Sequence, residues 1–400
     1  MMKTNELLSR AQALAPTLTE DRRWLHTHAE TGFDLPETCA YVWKRLTEMG
    51  FTPRRCGCCG IVADIGRGGR TVLLRADMDA LPIREETELP FSCRNGRMHA
   101  CGHDMHTAML LGAAGLLKEQ EAELDGTVRL MFQPAEELLC GAADMMADGL
   151  LDAPKPDAAF MLHVLTGLDL PVGTAIVSSP GVSAPAAATF EIVVQGKGCH
   201  GAMPHTGVDP ITAAAHIVLA LQQIGTRELS LMQPNALTIG MLQAGDTANV
   251  IPDRAMLRGS MRAFDEETQA FILRRIREIA CQTAAVFRAQ AEVRLLSSCP
   301  TLRNDERTSN TAYRALTALL GEERTLMSGQ LSGEAAKSSG SEDFAVVSHA
   351  VPSVMVALAA GRPQDGCAYP AHHPRACFDE AALPLGAAAY AAMAAAVLNG

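Results

Sequence analysis

A chain of 400 residues, 48% hydrophobic and 20% charged, exceeds what one hydrophobic core usually supports, so two domains are expected. Its formal net charge of −11 argues against nucleic acid or an anionic membrane as partner, because neither is attracted to a field of its own sign. No run approaches the ~18 apolar residues of a membrane span, the opening MMKTNELLSR lacks the continuous apolar segment expected of a secretory signal, and twelve cysteines read as cytoplasmic thiols rather than a disulfide framework.

The spacing of Leu7, Leu8, Ala11 and Leu14 predicts a helix over residues 5–28, interrupted at Pro16. A second helix is expected over 38–49, stopped by Gly50. Strands follow at 61–65 and 71–75, the latter leading into an acidic turn with Asp77 and Asp79. Cys56, Cys58 and Cys59 lack a distant partner pair and read as a turn entering a buried strand. An apolar helix after His103, a strand over 127–132, a helix over 142–149 and a strand over 158–163 continue the alternation. Strands alternating with helices imply an α/β/α layered domain with a mostly parallel central sheet, whose functional groups gather at the carboxyl ends of strands.

Near Ser183 the pattern changes to strand (189–196), helix (209–224), strand (236–243), strand (255–264), helix (265–289), strand (291–296). This βαββαβ order is the α+β ferredoxin-like arrangement. Asp209 caps its first helix with Pro210 in the first turn, and Leu273, Ile276, Ala280, Ala284 and Phe287 form the buried stripe of the second. After Ser298 the first pattern resumes. The expected organisation is therefore a catalytic domain in two pieces, residues 1–184 and 299–400, with a lid and dimerisation domain inserted over 185–298.

The densest chemistry lies at residues 98–107, MHACGHDMHT, where three histidines, a cysteine and an aspartate run directly into a helix. Thiolate and imidazole are the donors that borderline-soft ions select, and a helix start holds them rigidly. FQPAEE supplies Glu136 and Glu137 after a strand. Neighbouring side chains leave an extended segment in opposite directions, so one carboxylate can bind metal while the other faces water as a base. His163 ends another strand, GKGCHGAMPH brings His200 and His205, and YPAHHPR brings His372 and His373. A dinuclear site needs about four to six ligands including a bridging group. One cysteine, one glutamate and three histidines meet that requirement.

Nine ordered motifs carry a resemblance over nearly the whole chain: RRWLHTHAETGF, LLRADMDALPI, MHACGHDMHTAMLLGAA, FQPAEE, GKGCHGAMPH, NVIP, GSMRAF, SGSEDF and AHHPR. With these the sequence resembles the aminoacylase and carboxypeptidase family of dinuclear metallohydrolases, in the amidohydrolase branch of hippurate and indole-acetyl-amino-acid hydrolases. The resemblance implies two divalent ions per subunit, zinc or manganese foremost with cobalt or nickel as alternatives. It implies ligation by Cys101, His103, Glu137, His163 and His372, with the cysteine bridging and Glu136 as general base. It further implies that His200 binds the developing oxyanion, that Asn249 and Arg262 contact substrate, and that Asp77 and Asp79 orient ligands. Met105 stands where the family usually has glycine, which implies a narrower pocket or shielded metals.

The reaction expected is hydrolysis of an N-acyl amino acid, by a homodimer associated through the inserted domain. A dipeptidase or aminopeptidase on the same metals is the enzymatic alternative, and a silent small-molecule binder the remote one; the latter predicts loss of base or ligands, and all are present.

Overall fold

The computed structural model describes residues 4–331 and 338–399. It divides into two units, the larger made of Met1–Ser183, Arg303–Lys337 and Glu342–Gly400, the smaller of Ala184–Leu302 and Ser338–Ser341.

The larger unit opens with α1 (Thr4–Ala13), α2 (Ala15–Thr27) and α3 (Pro36–Glu48). The first two were expected as one helix broken at Pro16, but the break falls at Leu14. A proline in the first turn lacks only an N–H that would have had no intrahelical partner, so Pro16 opens α2 rather than interrupting it. β1 (Arg54–Cys56) and β2 (Gly60–Gly66) form an antiparallel hairpin around the cysteine-rich turn. β3 (Arg70–Asp77), α4 (His103–Lys118), β4 (Gly126–Gln133), α5 (Gly141–Ala147), β5 (Ala158–Leu165), β6 (Ala175–Val177) and β7 (Gly181–Ala184) follow.

The smaller unit contains β8 (Ala186–Gln195), β9 (Cys199–His200), α6 (Pro210–Leu221), β10 (Asn235–Ala244), β11 (Val250–Ile251), β12 (Arg254–Ala263), α7 (Glu266–Val286) and β13 (Gln290–Cys299). Apart from the two-residue ribbon β9–β11, the order is βαββαβ, and the long strands form an antiparallel sheet β10-β12-β8-β13. Asp209 caps α6 by accepting from the Ile211 N–H, and Asp265 caps α7 by accepting from that of Thr268. On α7, Ile276, Ala280 and Ala284 are buried as expected, joined by Ile272, whereas Leu273 and Phe287, also expected inside, are only partly covered.

The chain returns through β14 (Leu302–Asn304), α8 (Glu306–Leu320), β15 (Thr325–Met327), α9 (Ala345–Ser348), β16 (Ser353–Ala359) and α10 (Ala382–Leu398). The main sheet runs β1-β2-β4-β3-β5-β16-β6-β15, and its centre, β4-β3-β5-β16, is parallel. This is the mostly parallel α/β sheet the alternation predicted. Asp77 lies opposite Gln133 and Arg75 opposite Met161, so β3, β4 and β5 end together. The helix that carries the first donors, α4, is apolar on every side, which requires an interior position. Leu110, Leu111, Leu116 and Leu117 are buried there, each contributing about 1.5–3 kcal/mol. The donors at its amino end therefore sit on a support that cannot move independently of the core.

Candidate metal centre

The cluster forms where β3, β4 and β5 end. Cys101 and His103 flank Gly102, whose φ of +86° is a left-handed conformation and whose added Cβ would lie 2.4 Å from Val164 Cγ2. Glycine is required there for steric and conformational reasons together. His103 Nδ1 donates to the Asp79 carbonyl at 2.7 Å, which fixes the tautomer and leaves Nε2 free. His163 Nδ1 donates to the Val164 carbonyl at 2.8 Å, leaving its Nε2 at 3.5 Å from Cys101 Sγ. His372 Nε2 lies 3.2 Å from the same sulfur and 3.4 Å from Glu137 Oε1. Its φ of +67° is rare for a non-glycine residue, and the Ala100 carbonyl, accepting from its N–H at 2.9 Å, helps to hold it.

Donor atoms of Cys101, His103 and His163 lie within 4.8 Å of one another, and so do those of Cys101, Glu137 and His372. The two triads share one sulfur. His200, Asn249 and Arg262 belong to the smaller unit. There His200 lies on β9, opposite Val250 of β11, and Asn249 lies in the turn just before β11, with Gly201 N–H donating to the Asn249 carbonyl at 2.8 Å, while Arg262 sits on β12.

Glu136 and Glu137 do not diverge from an extended strand as expected. They occupy a turn between Ala135 at φ +53° and Leu139 at φ +55°, and both carboxylates approach His103 Nε2, each at 3.9 Å. Asp79 holds the turn, its two oxygens accepting from the backbone N–H groups of Glu136 at 3.0 Å and Glu137 at 3.3 Å. Met105 is fully buried in the apolar core, so the narrowing expected from its bulk is replaced by core packing.

A charged hub that sequence reasoning missed lies alongside. Arg75 is wholly buried and donates to Gln133 at 2.8 Å, Asp77 at 2.6 Å, Glu342 at 2.8 Å and Asp343 at 3.3 Å. Asp77 in turn accepts from His106 Nδ1 at 2.6 Å. Because His106 Nε2 accepts from the Val164 N–H at 2.8 Å, both of its nitrogens are occupied, and it is no ligand despite its proximity to Asp77 and His103. The motifs LLRAD and SGSEDF contain these residues, but nothing in either announces a pairing across 267 positions.

The electrostatics fit a cation. Burial pushes the Cys101 thiol up to about 12 and the Glu137 carboxyl to about 7, and it drops His163 to about 3. Glu136 is raised well above the carboxylate range by burial and by Glu342, Glu137 and Asp343. His103 Nε2 and Glu137 Oε1 are buried without a hydrogen-bond partner. Orphaned donor atoms and a crowded set of carboxylates are relieved together by positive charge, and thiolate, imidazole and carboxylate are the donors a divalent ion takes.

Such donors at the strand ends of a parallel sheet, with a second carboxylate beside them, define a metal-dependent hydrolase of amide bonds. The chain belongs to the family described as Peptidase family M20/M25/M40, whose model matches residues 73–396. It is 37% identical to an N-acetylcysteine deacetylase of Bacillus subtilis, over 97% of this chain and 98% of that protein. It is also 37% identical to an IAA-amino acid hydrolase of Arabidopsis thaliana, over 93% and 83%. A crystal structure of a Bacillus subtilis protein, described as a dinuclear metal binding peptidase from the M20 family, superposes with a TM-score of 0.75 at 35% identity, covering 97% of this chain and 99% of that one. Among the described residues, no helix is long and apolar enough to cross a membrane.

Proposed function

We propose that the protein hydrolyses N-acyl amino acids to a carboxylate and a free amino acid. The observation that carries this reading is the pair of donor triads sharing Cys101, with the Glu136 carboxylate beside them. The names of the relatives, which speak of an acetylated and a conjugated amino acid, support the same substrate class here.

Cys101, His103, Glu137, His163 and His372 would hold two divalent ions per subunit, zinc or manganese foremost, cobalt or nickel otherwise. When bound, such ions supply Lewis acidity toward a carbonyl and an activated water near neutral pH. Glu136 takes a proton from the attacking water and returns it to the departing amine nitrogen. Its burial among other carboxylates strengthens its hold on that proton. Asp79 keeps the base in place through the two backbone N–H groups, and Asp77 steadies the histidine face through His106. His200 donates to the developing oxyanion, Asn249 contacts the substrate, and Arg262 suits a bidentate grip on its carboxylate.

The active form is a homodimer associated through the inserted unit. β10 is an edge strand, and Leu242 on it and Leu219 on α6 are exposed. Twelve cysteines without a disulfide suit the cytoplasm. No nucleic acid or membrane partner is part of this reading.

The test is Glu136→Gln with metal content measured on the same preparation. Turnover of an N-acetyl amino acid should fall by about 10²–10⁴-fold with metal retained. An undiminished rate overturns the role of Glu136, and a clear preference for the matching free-amine dipeptide replaces the substrate class with that of a dipeptidase.

A further inference from the structure

At the amino-terminal ends of β3, β5 and β16, opposite the strand ends that carry the donor cluster, the larger unit has a cleft of about 700 Å³. That volume lies within the ~300–1,000 Å³ of small-molecule sites. Its walls present three guanidiniums, Arg70, Arg307 and Arg314, and two carboxylates, Asp157 and Asp305.

Opposite charges in one cleft ordinarily pair. Here no ion pair joins them among the described residues. Arg70 Nη1 donates to the Val397 carbonyl and Arg314 Nε to that of Asn310, which leaves their charge without a counterion. Each aspartate commits one oxygen to the fold: Asp157 Oδ2 accepts from the Thr71 N–H, and Asp305 Oδ1 accepts from the N–H and hydroxyl of Thr308. The second oxygen of each has no protein partner among the described residues. Arg307 and Arg314 are seven apart on α8, two turns on the same face, so both present their charge to one side.

We infer that this cleft binds a free α-amino acid with an apolar side chain. The guanidiniums take the carboxylate, the uncommitted aspartate oxygens take the ammonium, and Ala158, Ala315 and Val397 line the apolar part. A simple anion such as phosphate fits less well, because it meets two carboxylates with no positive group of its own to offer them. The choice of ligand rests on the proposed function, since a free amino acid is what that reaction releases. The charge pattern does not depend on it.

Equilibrium dialysis of the metal-loaded protein tests this, with L-leucine, 4-methylpentanoate (no ammonium), 3-methylbutylamine (no carboxylate) and inorganic phosphate as probes. L-leucine should bind, and the Arg307→Ala/Arg314→Ala double variant should weaken that binding by at least about tenfold. Each fragment probe and phosphate should show a smaller difference between the two proteins. Hydrolysis by the double variant should be unchanged, since neither arginine belongs to the proposed catalytic machinery, and both are exposed, so the variant should melt as the parent does. Equal L-leucine binding by the two proteins, or a larger arginine-dependent difference with phosphate, overturns the inference. Failure of hydrolysis with arginine-dependent leucine binding intact removes the proposed function and leaves the cleft standing; the reverse result removes the cleft alone.

Discussion

His106 donates from Nδ1 to Asp77 at 2.6 Å while its other ring nitrogen accepts from the backbone of Val164, whose carbonyl in turn receives the Nδ1 proton of His163. The backbone of one residue, Val164, thus links His106, whose nitrogens are both occupied, to His163, whose Nε2 faces the donor cluster. His106→Ala removes the clamp and leaves Asp77 Oδ1 and the Val164 N–H buried without it. We expect metal affinity to fall by about 10–100-fold and stability by about 1–3 kcal/mol. Competition with a chromophoric chelator, alongside urea unfolding, measures the two; unaltered affinity would contradict the clamp.

Gly102 separates the first two donors, and no side chain fits its place. Gly102→Ala forces a Cβ to within 2.4 Å of Val164 Cγ2 at a left-handed position, which alone costs about 1–2 kcal/mol. The backbone has to shift, carrying Cys101 or His103 with it. Metal content below that of the parent, in a protein that still folds by circular dichroism, is the expected outcome.

Chelation should abolish hydrolysis and lower the melting temperature, with both restored by adding zinc or manganese. An ion present at 100 times its dissociation constant stabilises the folded state by about 2.7 kcal/mol. Full activity after exhaustive chelation would remove the role assigned to the five donors.

A second buried network gives a pH signature. Burial alone would keep His26 neutral, but Asp104 at 2.8 Å and Glu85 at 3.1 Å outweigh it and raise its pKa, while Arg22 opposes them. A raised imidazole contributes stability that is complete below its unfolded pKa of about 6.5 and is lost as pH rises through the folded value. Burial also opposes ionisation of Glu85, yet His26 lowers its pKa, so its contribution has the opposite sign, present above about pH 4.3 and lost on acidification. His26→Gln should therefore cost most near about pH 5.5, on the order of 1–3 kcal/mol, and the gap to the parent should close toward alkaline pH. Urea midpoints at several pH values decide it; a gap that widens with pH would reverse the sign.

Part of this was legible in the sequence because some of the donors are local to a strong signal, while Glu137 and His372 were carried only by the joint pattern and the resemblance. Cys101 and His103 abut an apolar helix, His163 lies on an apolar strand that runs two residues past it, and the βαββαβ order stands out by its periodicity. Two things were not. The turn at Glu136 and Glu137 depends on left-handed Ala135 and Leu139, and neither residue type signals that conformation. The Arg75 hub depends on Glu342 and Asp343 arriving from a distant segment, a coincidence of tertiary packing that no local pattern records. Local pattern does not separate His103 from His106, three residues apart on one helix; the resemblance picked His103, and the structure leaves its Nε2 orphaned while both nitrogens of His106 are occupied.

Translation order gives the shared sulfur a further meaning. Cys101 leaves the ribosome 271 residues before His372, the last of the five groups drawn to the same centre. A nascent chain carries the residues of the first triad well before those of the second, so on the proposed reading a second ion would meet its full donor set only when synthesis has nearly finished.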